Sequence, residues 1–264
     1  MEHLELAIQL AREAGEVLRR YANVEKHVEL KGRSNLVTIA DKESEEIIIR
    51  GIRDRHPGHG ILAEESGAIW PNVACDDVRW IVDPLDGTTN FAHQYPFYCV
   101  SIGVEQAGEI VCGAVYDPHR DEMFTGARGE GAFLNGRRLQ VSNVDKLARA
   151  LLITGFPYNF RDRLDAILAQ FRGFLIEAEA VRRGGSAALD LCYLAAGRCD
   201  GFWELELQPW DTAAGALIAA EAGAVITDFE GRPFSIYMKE ILASNGKIHD
   251  EMKAVVGKAS LPSS

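Results

Sequence analysis

The sequence predicts a layered α/β fold, and three observations support this prediction. Helix-like and strand-like segments alternate at both ends of the chain. Between them, from Phe97 to Val141, short apolar segments separated by turn signals indicate a meander of antiparallel strands. No linker, repeat or low-complexity stretch divides the 264 residues. We therefore expect a single domain over 1–264, with an N-terminal half of roughly 1–145 and a C-terminal half of roughly 146–264.

The first half is predicted to begin with two helices and a short strand between them. Apolar residues recur every three or four positions over residues 3–22, which indicates an amphipathic helix. A short strand is expected at residues 27–31. The segment LVTIADKESEEIIIRGIRDRHPG is predicted to be a second helix, with Thr38 or Asp41 as its N-cap and the His-Pro-Gly run as its end.

The remaining elements follow from turn residues and periodicity. In the meander, Asn135-Gly136 predicts a tight hairpin. Gly129 and Gly131 also belong to a hairpin, because Leu134 occupies the third position of a dinucleotide-binding glycine pattern. The second half is read as the strand ALLITGF and a helix over 162–178. The segment EAVRRGG then leads into a helix in SAALDLCYLAAG. A strand in CDGFWELEL, a helix in PWDTAAGALIAAEAGA, the strands AVITDF and EILASN, and a final helix complete the order.

Charge and cysteine content exclude several classes of function. The formal net charge is −11, which repels nucleic acid and anionic membrane surfaces, so neither is expected to bind directly. Five cysteines without a Cys-x-x-Cys pair fit reduced thiols in the cytosol. The N-terminus does not resemble a signal peptide, and no apolar run approaches the roughly 20 residues that span a bilayer. A soluble, cytoplasmic protein is expected.

Two aspartates close an apolar segment in WIVDPLDGTTNF, residues 80–91. Asp83 lies where the predicted strand ends, and ligand sites of α/β folds gather at such ends. Pro84 fixes one backbone angle, which lets Asp83 and Asp86 point into one space. The same residues also fit a type I turn, and on their own they leave both interpretations open. The Gly87-Thr88-Thr89-Asn90 run that follows is typical of a helix start whose N–H groups bind phosphate.

Two further acids lie at element ends elsewhere in the chain. Glu64, followed by Glu65, ends the predicted strand GILAEE, and Asp211 lies in the first turn of a predicted helix. Taken singly, Glu64 fits a solvated loop and Asp211 fits an acid that complements the helix dipole. Together with Asp83 and Asp86 they indicate a metal site, because buried unpaired carboxylates are costly without a cation. Oxygen ligands favour Mg²⁺, and none of the seven histidines forms a His-x-x-x-His pair that would favour zinc.

The motifs together resemble the inositol monophosphatase family. The matching segments are DPLDGTTNF at 83–91, AEES at 63–66 and WDTAAGALIAAEAGA at 210–224, with ELKGRSNLVTIADKESEE and RRGGSAALDLC in the same order along nearly the whole chain. The resemblance implies a magnesium-dependent, lithium-sensitive phosphomonoesterase. It also implies a five-layer αβαβα sandwich of the sugar-phosphatase type, usually assembled as a homodimer.

The resemblance also assigns roles to individual residues. The metal ligands it implies are Glu64, Asp83, the Leu85 carbonyl, Asp86 and Asp211. The catalytic residues it implies are Glu64, Thr88 and Asp41, which orient the attacking water. The substrate-binding residues it implies are Gly87 and Thr88 at the phosphate, Gly185, Ser186, Ala187 and Glu204 at the polyol, and the metal-site residues Glu64, Leu85, Asp86 and Asp211.

The expected reaction is hydrolysis of a phosphate monoester by a metal-activated water. One magnesium ion at Glu64 and Asp83 would lower the pKa of that water, and a second at Asp83, Asp86 and Asp211 would neutralise the leaving alkoxide. Glu204 favours inositol 1-phosphate, because a carboxylate accepts hydrogen bonds from neutral hydroxyls and repels a second phosphate.

The sequence leaves other substrates and one other class of function open. Fructose 1,6-bisphosphate, histidinol phosphate, NADP and adenosine 3′,5′-bisphosphate are alternative substrates. Arg182 and Arg183 would serve a second phosphate, unless they are ordinary surface or dimer-contact residues. An alternative of another class is an interaction protein in a transcription-associated complex.

Overall fold

The structure is a computed structural model that describes residues 1–22, 28–31, 35–71, 77–157 and 160–259. Cys75 and residue 27, the first of the predicted short strand, lie outside the described residues. The described α-helices are α1 Glu2–Tyr21, α2 Ile39–Arg55, α3 Thr88–Ala92, α4 Leu164–Glu177, α5 Ala187–Ala195, α6 Pro209–Glu221 and α7 His249–Ala259.

The described strands form three sheets. A two-stranded sheet contains β1 Val28–Lys31 and β2 Asn35–Thr38. An eight-stranded sheet has the order β10-β9-β8-β7-β6-β5-β3-β4, with β3 Gly60–Ala63, β4 Gly67–Ile69, β5 Val78–Asp86, β6 Cys99–Gln106, β7 Glu109–Asp117, β8 Glu122–Ala127, β9 Gly131–Leu134 and β10 Arg137–Arg138. A five-stranded sheet has the order β12-β11-β13-β15-β14, with β11 Leu151–Thr154, β12 Ala180–Arg183, β13 Gly201–Leu205, β14 Val225–Thr227 and β15 Glu240–Ser244.

Helices α1 and α2 cover one face of the eight-stranded sheet. The apolar stripe of α1 that the sequence predicts is buried there, with Leu6, Leu10 and Leu18 almost fully removed from solvent. These side chains share one core with Trp80 and Val82 of β5. The amphipathic period of α1 therefore decides which side of the helix packs on the sheet.

Helices α5 and α6 pack against the opposite face, between the two large sheets. The approach of α6 depends on glycines in the strands beneath it. A Cβ at Gly113 of β7 would lie 2.8 Å from the Cα of Ala214, and one at Gly103 of β6 would lie 2.8 Å from the Cβ of Ala213. This close packing holds the N-terminal half of α6 against β6 and β7.

Helices α4 and α7 cover the outer face of the five-stranded sheet, where Phe174 packs on Trp203 of β13 with ring centroids 4.0 Å apart. The layers therefore follow the order α, β, α, β, α, which confirms the predicted five-layer sandwich. The meander is also confirmed, and Leu134 pairs with Arg137 across the predicted two-residue turn.

Two strands, β2 and β12, are missing from the sequence prediction, and one of the two expected N-caps of α2 was wrong. Residues 35–38 form β2, which pairs antiparallel with β1, with Val28 opposite Thr38, and α2 begins at Ile39, directly after the expected N-cap Thr38. Asp41 is therefore a residue of the first helical turn and not the N-cap. The EAVRRGG segment, which was predicted only to lead into a helix, contains the parallel edge strand β12. Half of this strand consists of two exposed arginines. It therefore lacks the apolar run that is expected of a parallel strand.

Among the described residues, no helix combines the length and apolar character required to cross a membrane.

Candidate active site

An irregularity in β5 brings Asp83 and Asp86 to the same side of the sheet. Residues three apart on a regular strand point to opposite faces. Here the pairing of β5 with β6 shifts between Asp83 and Asp86, at the Pro84-Leu85 step. Such a shift bends the strand and re-aims its side chains. The backbone N–H of Leu85 donates to Asp83 Oδ1 at 3.0 Å, which holds the carboxylate in place.

The first turn of α6 delivers Asp211 to the same place. Pro209 starts the helix, and the backbone N–H of Gln208 donates to Asp211 Oδ2 at 2.6 Å. One carboxylate oxygen from each of Asp83, Asp86 and Asp211 lies within 4.8 Å of the others. A residue from the second half of the chain thus completes a group that begins in the first half.

This acidic group is electrostatically unfavourable by itself. Burial, followed by the charges of Glu64 and Asp86, raises the pKa of Asp83 well above its usual range. Desolvation, followed by the charge of Asp86, does the same to the pKa of Asp211. Buried carboxylates this close are compensated best by a divalent cation, and an all-oxygen donor set fits a hard ion such as Mg²⁺.

Asp86 differs from the other two acids because protein donors hold it. Its Oδ2 accepts from Ser186 Oγ at 2.7 Å and from the backbone N–H of Ala188 at 2.7 Å, at the start of α5. Burial raises the pKa of Asp86 to about 6, and these hydrogen bonds oppose a larger shift. The start of α5 therefore fixes Asp86 towards the cavity.

The loop after β5 turns sharply into α3. Gly87 has a φ of 99°, and a Cβ there would lie 3.0 Å from the Phe97 carbonyl oxygen, so glycine is required. The hydroxyl of Thr88 donates to the Leu85 carbonyl at 3.0 Å. Asp41 is buried, and its charge contributes to the raised pKa of Asp83, which places it near the group.

These residues border a cavity of about 580 Å³, a size suited to a small-molecule ligand. The sequence-predicted site residues that line it are Glu64, Asp86, Gly87, Gly185, Ser186, Ala187, Glu204 and Asp211. The sequence-predicted site residues outside its lining are Asp41, Asp83, Leu85 and Thr88. Glu64 lies outside the group of three close oxygens but raises the pKa of two of its members, Asp83 and Asp211.

Glu204 of β13 also lines the cavity. Its side chain is buried, and burial, followed by the charge of Asp211, raises the pKa of Glu204 well above its usual range. A Cβ at Gly155 would lie 2.2 Å from Glu204 Oε1, so the absence of a side chain at position 155 makes room for this carboxylate. Gly185, with a φ of 94°, and Phe156 line the same cavity.

Sequence reasoning missed several residues that build the site. Glu45 of α2 accepts from the backbone N–H of Glu65 at 2.9 Å and also from the Ser66 hydroxyl, which anchors the turn carrying Glu64. Nothing in the local pattern around Glu45 signals this contact. Thr89 lines the cavity although only its neighbour Thr88 was selected.

Comparisons with known proteins identify the fold and its chemistry. Residues 1–260 match the profile of the inositol monophosphatase family. The chain belongs to the inositol monophosphatase family. It is 43% identical to inositol monophosphatase 3 of Solanum lycopersicum over 94% of each chain. It is 45% identical to Nus factor SuhB of Vibrio cholerae, with 92% of this chain and 91% of that protein covered.

A solved structure shows the same fold at the level of coordinates. The inositol monophosphatase from Anabaena (Nostoc) sp. PCC 7120 superposes with a TM-score of 0.88 at 42% identity, covering 97% of this chain and 96% of that chain. As an inositol monophosphatase family member, the chain is a phosphatase of small-molecule phosphomonoesters, and its acidic group fits the metal dependence of the family.

Proposed function

We propose that the protein hydrolyses inositol 1-phosphate to myo-inositol and phosphate in a Mg²⁺-dependent reaction. The observation that supports this most strongly is the meeting of Asp83, Asp86 and Asp211 beside a cavity that Glu204 also lines. The acids suit a cation that receives a phosphate, and the carboxyl of Glu204 suits a hydroxylated leaving group.

In this proposal Mg²⁺ is held by Glu64, Asp83, the Leu85 carbonyl, Asp86 and Asp211. When bound, Mg²⁺ supplies Lewis acidity towards water and phosphate and neutralises charge on the leaving oxygen. The negative potential of the acidic group attracts the cation, so the net charge of the chain does not exclude an anionic substrate. Ser186 and Ala188 keep Asp86 oriented before the ion arrives.

The chain itself positions the phosphate and the water. The backbone N–H groups of Gly87 and Thr88 lie at the start of α3 and donate to phosphate oxygens. The hydroxyl of Thr88 already donates to Leu85, so its oxygen is oriented to accept from a water. The second water proton is accepted by the carboxylate of Glu64 or Asp41, which holds the water in line with phosphorus.

The polyol is recognised by Glu204 together with Gly185, Ser186 and Ala187. Glu204 accepts hydrogen bonds from hydroxyl groups of the substrate in an environment from which most water is excluded. The cavity draws on both halves of the chain, which supports the proposal that residues 1–264 act as one catalytic unit.

A phosphate-release screen tests the proposal. The substrates are inositol 1-phosphate, fructose 1,6-bisphosphate, histidinol phosphate, NADP and adenosine 3′,5′-bisphosphate, each with Mg²⁺ and with EDTA. We expect inositol 1-phosphate to give the highest kcat/KM and its hydrolysis to depend on Mg²⁺. Asp83→Asn should lower this rate by several orders of magnitude. A higher kcat/KM with another substrate would refute inositol 1-phosphate as the substrate, and equal phosphate release with EDTA would refute the metal dependence.

A second candidate function is interaction within a transcription-associated complex. It is favoured by the identity of 45% to a relative named Nus factor SuhB. The intact set of acids argues that catalysis is retained alongside any such role. Capture of a transcription complex from lysate, combined with no release from any phosphomonoester, would favour this second function over the first.

We also propose that the protein is a cytoplasmic homodimer that lithium inhibits. The described cysteines are all buried and unpaired, as in reduced proteins. Leu164, Leu168, Leu175 and Ile176 of α4 are exposed at helical spacing, which suits contact with a second copy. Light scattering measures the molecular mass of the wild type and of Leu168→Glu in solution. A monomeric wild type would contradict the proposed dimer.

A further inference from the structure

Three histidines that are distant in sequence lie together on the side of the eight-stranded sheet covered by α1 and α2. His3 belongs to the first turn of α1, and His56 and His59 follow the end of α2. The rings of His56 and His59 are parallel within 2°, with centroids 4.4 Å apart. The His3 ring stands nearly perpendicular to both, with centroids 5.1 and 5.2 Å away. None of the three lines the cavity described above.

We propose that His3, His56 and His59 form a second metal site, selective for an imidazole-preferring divalent ion such as Zn²⁺. One ring nitrogen from each residue lies within 4.8 Å of the others. Among the described residues, Nε2 of His56 is buried without a hydrogen-bond partner. A ring nitrogen buried in this way is costly unless it forms a hydrogen bond or binds an ion. Imidazole nitrogens are ligands of zinc and nickel, whereas Mg²⁺ prefers oxygen.

The surroundings of His59 and His3 favour a metal-binding ring. The indole Nε1–H of Trp80 donates to Nδ1 of His59 at 3.0 Å, so Nδ1 of His59 carries no proton. Burial, followed by the charge of His56, lowers the pKa of His3, while Glu2 opposes this shift. A site that disfavours protons loses little by exchanging them for a metal ion.

Metal binding requires two local changes. Because the His56 and His59 rings are parallel, one of them has to rotate until its lone pair points at the shared ion. The neutral His59 ring carries its proton on Nε2, so ligation through Nε2 moves that proton to Nδ1 and breaks the hydrogen bond from Trp80. The ring stays neutral, and Trp80 loses its acceptor. Metal binding should therefore change the emission of Trp80.

Zinc titration by calorimetry and by tryptophan emission tests the site, with excess Mg²⁺ present to occupy the carboxylate group. We expect the wild type to bind one more Zn²⁺ than His56→Ala, or to bind it at least tenfold more tightly. The exposed His119 provides a matched control, so His119→Ala should match the wild type. The emission change should be absent from His3→Ala and from Trp80→Phe.

His3→Ala also guards against a folding defect in His56→Ala, because His3 is only half-buried in the first turn of α1. Circular dichroism of both variants confirms that they are folded. Equal zinc stoichiometry and affinity in the wild type, His56→Ala and His3→Ala would overturn the site. Since no phosphatase assay enters the test, its outcome is independent of the proposed function.

Discussion

Replacing Gly155 by alanine should separate polyol recognition from phosphate chemistry. The new Cβ would lie 2.2 to 2.4 Å from the carboxylate atoms of Glu204. Carbon and oxygen atoms in contact need more than 3 Å, so Glu204 must move by about 1 Å. Misplacement by about 1 Å costs on the order of 100-fold in rate when a group positions the substrate. The acids at Asp83, Asp86 and Asp211 are not displaced directly.

Steady-state kinetics on two substrates measures this effect. With inositol 1-phosphate, kcat/KM of Gly155→Ala should fall by about 100-fold. With p-nitrophenyl phosphate, which has no polyol hydroxyls, it should stay near that of the wild type. Gly257→Ala is the matched control, since a Cβ there meets nothing within 4 Å. Equal losses on both substrates would refute the assignment of Glu204 to the polyol.

Three further variants test the electrostatics, the support of Glu64 and the packing of α6. In EDTA, Asp86→Asn should stabilise the fold at neutral pH by up to about 3 kcal/mol, because burial raises the pKa of Asp86 from 3.8 to about 6. Burial destabilises the fold only where the carboxylate is ionised, so the gain in stability should vanish near pH 4. Urea unfolding at pH 7 and near pH 4 measures this difference, and a gain in stability that does not change with pH would contradict the reasoning. Glu45→Gln should raise the Mg²⁺ concentration for half-maximal activity about tenfold with little change in kcat, because the turn carrying Glu64 loses an acceptor. Glu46→Gln, at an exposed position, is the control. Identical Mg²⁺ activation curves for Glu45→Gln and the wild type would show that the Glu45 contact does not support Glu64. Gly103→Ala should lower the free energy of unfolding by about 1–3 kcal/mol, because its Cβ would lie 2.8 Å from Ala213 Cβ. An unchanged free energy of unfolding would show that α6 can shift to accommodate the added methyl group.

The fold and much of the site could be predicted because their signals are local. The amphipathic period of α1 lies in consecutive residues, and so does the Asn135-Gly136 turn. The Asp83–Asp86 spacing, with proline between the acids, also lies in one short segment. These features depend on steric rules that act over a few residues.

The missing predictions depend on pairing or packing with another segment. Residues 35–38 are a strand because β1, the segment immediately before them, pairs with them. Strand β12 exists because β11 lies beside it. Glu45 is recognisable only once α2 lies against the turn after β3.

The cluster of His3, His56 and His59 was also missing from the sequence prediction. The seven histidines contain no His-x-x-x-His pair, yet His56 and His59 are three residues apart and their rings stack. That spacing was the available local signal. His3 joins them only through the packing of α1, which brings the start of the chain next to the end of α2.

Calorimetric titration of the metal-free protein with Mg²⁺ tests the central claim most directly, because the claim is that acids from both halves of the chain hold one cation site. Asp211→Asn changes the member contributed by α6, and the exposed Asp250→Asn on α7 is the control. The wild type and Asp250→Asn should bind Mg²⁺ alike, and Asp211→Asn should bind it at least tenfold more weakly. Equal affinity in all three proteins would contradict the account.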